Sequence, residues 1–214
     1  MLKSIDLLNQ GIATLGLNLE SNQVDQLAEL LSQLLKWNST YNLTAIKDEE
    51  EALKLHLLDS LSIVPHWSFS KTLDVGTGPG FPGLPLAIAL PEQTFHLLDS
   101  NSKKVRFIRQ QIHHLGLTNV TAWHSRVEQH QINSDENQKY DAIVSRAFAS
   151  LADMVKLSEH LLSDDGRWMA MKGAYLEDEV AELPEWVEQV GVTELVVPGV
   201  QADRCLIELK RGNR

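Results

Sequence analysis

Apolar residues recur at Val24, Leu27, Leu30, Leu31, Leu34 and Leu35, a three-four spacing that lines one face of a helix. Ser21 occupies the expected N-cap, and Trp37 and Asn38 are expected to close the helix. A second helix is predicted from Asp48, with Glu51 three residues on and Leu55, Leu58 and Leu61 facing one way up to Pro65. A weaker helical pattern spans Ser4 to Leu15. From Lys71 the texture changes to short apolar runs alternating with helical stretches, the signature of a parallel sheet. Strands are predicted at Thr72 to Val75, Thr94 to Leu98, Val120 to His124, Tyr140 to Ser145 and Arg167 to Met171, and a closing hairpin at Val192 to Val197 and Arg204 to Leu209. Helices are predicted at Gly83 to Leu90, Ser102 to Leu115, Leu151 to Leu162 and Leu176 to Val190, and a polar surface loop at Asn133 to Lys139. The result is an α/β fold with a seven-stranded mixed sheet, five strands parallel and two antiparallel. Residues 1–66 form an N-terminal helical cap and 67–214 the sheet domain, expected to pack as one compact unit.

The junction after the first strand carries the chemistry. Thr72-Leu73-Asp74-Val75 runs into Gly76-Thr77-Gly78-Pro79-Gly80 and then a helix start, so a strand, a tight glycine turn and a helix follow one another. A dinucleotide fingerprint would place its third glycine where Phe81 stands, and no Gly-Lys-Ser/Thr ending is present, which argues against pyrophosphate and phosphate-loop sites. Asp-x-Gly-x-Gly-x-Gly instead resembles the cofactor loop of S-adenosylmethionine-dependent methyltransferases, whose cationic cofactor suits a loop bearing Asp. The simpler alternative is a glycine turn with no ligand. Asp74 can accept from a ligand amine or order the loop.

Composition narrows the class. A chain of 214 residues with 43% hydrophobic and 22% charged residues can bury a sizeable core. No apolar run approaches a membrane span and the start lacks a signal-peptide pattern, so a cytoplasmic protein without membrane contact is expected. The single Cys205 precludes an internal disulfide and any cysteine-rich zinc site. His113, His114, His124 and His130 do not combine with other ligands at metal spacing, so no metal is expected. A net charge of −10 runs against a nucleic-acid partner, although binding follows the local field rather than the total.

In a doubly wound sheet the ligand lies beyond the carboxyl ends of the strands. Asp99 follows the second strand, nineteen residues after Gly80, where an acid can grip ribose hydroxyls or simply cap a helix; Ser100 and Asn101 would lie beside the same sugar or base. Val127 and Glu128, after the third strand, are candidates to bracket an adenine. Lys103, Lys104, Arg106 and Arg109 open the helix after strand two, and Arg126, Arg146 and Lys172 follow strands three, four and five. One solvated helix face explains the first group; convergence of separate elements on one edge favours an anionic substrate, RNA. His56 and Asp59, three apart on a helix, are expected to be a surface pair ordering the cap rather than a dyad.

Trp37-Asn38, Tyr41-Asn42-Leu43-Thr44-Ala45-Ile46, His56-Leu57-Leu58-Asp59-Ser60-Leu61, the glycine loop through Phe81-Pro82-Gly83, Ser145-Arg146-Ala147-Phe148 and Met171-Lys172-Gly173 together resemble the bacterial small-subunit rRNA guanine-N7 methyltransferases, the glucose-inhibited division protein B family. The resemblance covers nearly the whole chain. It implies a Rossmann-like class I methyltransferase fold, S-adenosylmethionine as cofactor and S-adenosylhomocysteine as product. It also implies cofactor contacts at Gly76, Phe81, Asp99, Ser100, Asn101, Val127, Glu128 and Arg146. The implied substrate is one guanine of 16S rRNA, free or in the small ribosomal subunit or its precursor, and a monomeric enzyme is expected. Guanine N7 has a lone pair and no proton to lose, so no general base is assigned; Arg146 and Lys172 are candidates to position the substrate. The alternatives are a methyltransferase acting on a small molecule or protein, and a non-catalytic module binding nucleotide or ribosome through the cap.

Overall fold

The computed structural model describes residues 2–132, 139–146, 148 and 150–212. A seven-stranded sheet forms the centre, in the order β3-β2-β1-β4-β5-β7-β6. Its strands are β1 (Lys71–Val75), β2 (Thr94–Asp99), β3 (Val120–His124), β4 (Tyr140–Ser145), β5 (Leu162–Lys172), β6 (Val187–Glu194) and β7 (Cys205–Arg211). The first five pair in parallel, and β7 runs antiparallel between β5 and β6. Strand order reverses between β1 and β4, which opens the crevice that doubly wound sheets use for ligands.

Side-chain alternation sorts the strands between two cores. Leu97 faces one core with Phe81, Leu84, Phe107 and Ile108, whereas Leu98 faces the other with Leu151, Met154 and Trp168. The first core also contains Leu27, Leu30, Leu34, Leu57, Leu58 and Leu61, so the helical cap and one face of the sheet share one continuous interior. The cap consists of α1 (Leu2–Thr14), α2 (Ser21–Tyr41), α3 (Glu49–Ala52), a π-helical stretch Leu53–Leu58, and α4 (Asp59–Leu61). Packed around the sheet are α5 (Gly83–Ala89), α6 (Ser102–His114), α7 (Leu151–Ser158) and α8 (Glu177–Ala181). Two amides of α2 hold the cap in register by answering carbonyls that helix ends leave unpaired. Gln23 Nε2 donates to Ile88 O at 2.6 Å and Gln26 Nε2 to Leu115 O at 2.8 Å.

Several boundaries differ from expectation. Glu20, not Ser21, is the N-cap of α2, with its N–H donating to Gln23 Oε1 at 2.8 Å. The helix runs past Trp37 and Asn38 to Tyr41; Asn38 instead accepts from Thr44 N (2.9 Å) and donates to Ile46 O (3.0 Å), tying down the next loop. Asp48 caps α3 as expected, accepting from Glu51 N at 2.9 Å. The helix from Leu151 ends at Ser158 with a 3₁₀ turn, Glu159–Leu161, and β5 starts five residues earlier than predicted. The predicted helix Leu176 to Val190 is a correction. It stops at Ala181, because Pro184 has no N–H to continue the ladder, and the β-branched run beyond it forms β6. The predicted strand Val192 to Val197 therefore lies mostly past its true position. The expected loop Asn133 to Lys139 falls, except for Lys139, outside the described residues, as does Ala147.

Candidate active site

The glycine loop is anchored to both strands beneath it. Gly76 N–H and Thr77 N–H both donate to Leu98 O of β2, at 2.9 and 3.1 Å. Gly76 has φ +67°, a backbone conformation that a side chain resists. Asp74 is fully buried at the end of β1, and its Oδ2 accepts from Thr77 Oγ1 (2.6 Å) and Gly83 N (2.8 Å). Of the two roles open to Asp74, the structure shows loop ordering. Burial, only partly offset by those two bonds, pushes its pKa up to about 7.

Asp99 takes the corresponding position on β2. Its Oδ2 accepts from Gly78 N at 2.8 Å and its Oδ1 from Asn101 N at 2.7 Å, so one carboxylate joins the loop to the turn that starts α6. Asn101 caps α6, accepting from Lys103 N at 3.0 Å. Ser125 N–H donates to Asp99 O, which brings the turn after β3 alongside. Val127 is half-buried there and Glu128 is exposed, 4.0 Å from Arg126. Asp74, Gly76, Gly78, Gly80, Phe81, Asp99, Ser100 and Asn101 thus meet around the ends of β1 and β2, with Val127 and Glu128 one strand further along.

These residues fit a nucleoside cofactor. A Cβ built on Gly76 would meet nothing within 4 Å, and on Gly78 only Lys104 Nζ at 3.9 Å, so open space lies directly over backbone. Exposed Ser100 and Asn101 and a carboxylate with unused lone pairs border that space.

Cap residues Leu55, His56 and Asp59 wall a second space. Phe81 stacks on His56 with ring centres 4.9 Å apart, and the Arg146 guanidinium lies 5.6 Å from the same phenyl ring. Arg146 follows β4 and is held from three directions: it donates to Leu55 O (2.8 Å), Asp59 Oδ2 (3.2 Å) and His56 Nδ1 (3.1 Å). Because a guanidinium cannot accept, His56 Nδ1 is the acceptor and Nε2 carries the proton toward Thr44 Oγ1 at 3.0 Å. Burial, and then the Arg146 charge, lower the His56 pKa to about 3, which keeps the ring neutral. Asp59 also accepts from Arg204 Nε at 3.1 Å, so one buried carboxylate stands between two guanidiniums. The expected surface pair is therefore corrected: His56 and Asp59 are both buried, His56 against Phe81 of the loop and Asp59 between the arginines. They face a cleft of about 410 Å³ that Leu55, Arg146, Met171, Lys172, Leu195 and Arg204 also line. The π-helical stretch widens the turn that presents His56, a distortion found often at functional sites.

The basic residues do not all share one environment. Lys103, Arg106 and Arg126 are exposed, and Lys104 leans toward Gly78. Arg109 turns back onto the sheet, donating from Nε and NH2 to Ala122 O of the edge strand β3 at 3.2 and 3.0 Å. Lys172 lines the cleft while pairing with Glu179 Oε2 at 2.9 Å.

A family model described as rRNA small subunit methyltransferase G matches residues 23–207. The chain belongs to the rRNA small subunit methyltransferase G family. Ribosomal RNA small subunit methyltransferase G of Chromobacterium violaceum is 49% identical over 203 residues, covering 94% of this chain and 95% of that protein. The protein of the same name from Vibrio campbellii is 46% identical, covering 95% of each. Among solved structures, the chain is similar to mitomycin 7-O-methyltransferase MmcR (TM-score 0.61, 14% identity, 85% of this chain and 60% of that one). It is also similar to a SAM dependent methyltransferase from Aquifex aeolicus (TM-score 0.58, 16% identity, 74% and 92%). At such identities the likeness shows the fold, that of the class I methyltransferases. For this member of the methyltransferase G family, sequence reasoning missed Thr44, Leu55, His56, Asp59 and Arg204 as parts of the site. Only the helical spacing of His56 and Asp59 hinted at a joint role; Arg204, read as the start of a strand, gave no local signal.

Proposed function

We propose that this protein transfers a methyl group from S-adenosylmethionine to N7 of a single guanine in 16S rRNA. Family membership supports an rRNA methyltransferase of the small subunit. The observation that carries the finer reading is the position of Arg146: its guanidinium lines the cleft while lying against Phe81, which follows the glycine loop, and donating to the cap. A nucleobase seated in the cleft would therefore lie beside the cofactor space, where its ring nitrogen can meet the methyl group in line.

Bound over the glycine loop, S-adenosylmethionine supplies an electrophilic methyl group and leaves as S-adenosylhomocysteine. The chain's own residues need only bind, orient and exclude water, because guanine N7 offers its lone pair without losing a proton. The site agrees with that demand. His56, which lines the cleft beside Arg146, is neutral with both nitrogens engaged, so it is a wall rather than a base. Arg146, Arg204 and Lys172 present donors that can hold the guanine O6 or flanking phosphates, and Lys103, Arg106 and Arg126 extend positive charge along the rim.

The test incubates the protein with radiolabelled S-adenosylmethionine and unmodified small subunits, bare 16S rRNA or tRNA, and maps product by cleavage at N7-methylguanosine. Label at one guanine of 16S rRNA is expected. Cofactor binding without label in any RNA would overturn the proposal in favour of a small-molecule or protein substrate.

A further inference from the structure

Residues 173–203 contain eight carboxylates and no Lys, Arg or His, although the formal charge of the whole chain is only −10. They build α8, the edge strand β6 and the connection to β7. Basic Lys103, Arg106 and Arg126 stand at the opposite end of the sheet, by β2 and β3. The molecule is thus electrically polarised along its strand order, with the candidate active site between the two ends.

The acidic end is also the apolar one. Tyr175, Leu176, Val190, Val192 and Val196 are exposed there, Val196 at 78%, and among the described residues only Tyr41 joins them as an exposed large hydrophobic. A groove of about 750 Å³, bordered by Tyr175, Val192, Glu194, Val196 and Asp203, runs along this face. It shares Gly173, Leu195 and Arg204 with the cleft. Among the described residues β6 pairs only with β7, which leaves its outer ladder positions open. Charge alone on such an edge would be ordinary protection against pairing, but protection does not set three exposed valines in and beside the strand.

We propose that the face formed by β6, α8 and this groove docks an extended Lys/Arg-rich segment of a protein carried on the ribonucleoprotein substrate while the guanine occupies the adjoining cleft. This rests on the function proposed above. RNA is the wrong occupant: even with Glu179 paired to Lys172 and Glu188 to Lys210, the face keeps a surplus of carboxylates that repels phosphates. A second copy of the chain would bring the same charge to the same face in a two-fold contact, and in a head-to-tail contact would cover the basic rim that the RNA needs. A basic segment matches the carboxylates, its aliphatic stems cover the valines, and an added strand can use the open edge. Continuity with the cleft means that whatever carries the guanine also brings its neighbours to this face.

The test places the photocrosslinker p-benzoylphenylalanine at Val196 or, as control, at exposed Thr121 on β3, and irradiates each protein with purified unmodified small subunits and S-adenosylmethionine. Crosslinking from position 196, but not 121, to a Lys/Arg-rich stretch of a small-subunit protein is expected. Glu182→Lys with Glu194→Lys should lower kcat/KM on subunits by about tenfold, leaving cofactor affinity unchanged. Crosslinks from 196 to rRNA, to a second copy, or to nothing would overturn the proposal. Methylation of 16S rRNA by the unsubstituted protein, read in the same reactions, separates the two claims: no label defeats the guanine assignment, whereas label without a protein crosslink defeats only the docking face.

Discussion

Replacing Asp59 by alanine strands two cations at once. Its carboxylate is 4% exposed and accepts from Arg146 at 3.2 Å and Arg204 at 3.1 Å. A hydrogen bond to a charged group is worth about 1.5–3 kcal/mol. Both arginines keep part of their side chains in water, 21% and 24%, so solvent recovers some of the loss and the lower figure applies to each. Losing both bonds should cost about 3 kcal/mol, and at about 2–4 °C per kcal/mol for a chain of this size the melting temperature should fall by about 6–12 °C. Asp59→Asn keeps one acceptor oxygen and should lose about half as much. Below the melting transition, the released Arg146 and Arg204 no longer fix the cleft wall, and kcat/KM toward rRNA should drop by about 10²-fold. Differential scanning calorimetry and labelled methyl transfer read the two effects. Combining Asp59→Ala with Arg204→Ala removes one stranded charge, so the double variant should be more stable than the sum of the singles by about 1–2 kcal/mol. Strict additivity, or an Asp59→Ala protein that melts within about 1 °C of the parent and methylates at its rate, would refute the bracing role.

Other expectations follow from the same geometry. A methyl group at Gly83 would lie 2.8 Å from Asp74 Oδ2 and 2.7 Å from Leu97 Cγ, so Gly83→Ala should destabilise the fold by about 1–3 kcal/mol and weaken cofactor binding in calorimetric titration. The pKa of Asp74 is raised by folding from its ordinary 3.8 to about 7, so the folded state binds the extra proton between those values. Stability of the parent, measured by urea unfolding against Asp74→Asn, should therefore fall as pH rises from about 4 to about 7 and level off above. The pKa of His56 is lowered to about 3, which works in the opposite direction: relative to His56→Gln, the parent should lose stability as pH falls from about 6.5 toward about 3. Finally, Lys103→Ala with Arg106→Ala should reduce the slope of log binding constant against log salt for 16S rRNA by about 1–2, whereas Arg109→Ala, whose guanidinium serves Ala122 O, should leave it nearly unchanged.

The parallel sheet was legible because its central strands are buried on both faces and so appear as short apolar runs with Asp74, Asp99 or Ser145 at or next to their carboxyl ends. The glycine loop was legible for a similar reason: its positive φ values leave little choice of residue. The closing hairpin was legible too, but its first strand was placed five residues late, since Val180, Leu183, Val187 and Val190 recur at helical spacing and only Pro184 signals the break. The second half of the site was hidden by distance along the chain. Asp59 meets Arg146 across 87 residues and Arg204 across 145, and no local periodicity encodes a contact of that kind. Burial decided the role of His56 and Asp59, and burial on a cap helix depends on packing that spacing alone does not specify.

The contact between Asp59 and Arg204 bears on when the protein becomes active during its own synthesis. The cap and β1 precede Arg204 along the chain, so the helix carrying His56 can pack earlier on its near neighbours. Arg204 lies 145 residues after Asp59, just before β7, so the cleft acquires its second guanidinium only after the parallel strands of the sheet have been made. A chain truncated before β7 lacks that wall, and its Asp59 holds one arginine instead of two. Synthesis as far as Arg204 is thus a built-in check, because only molecules that carry it present both guanidiniums to Asp59.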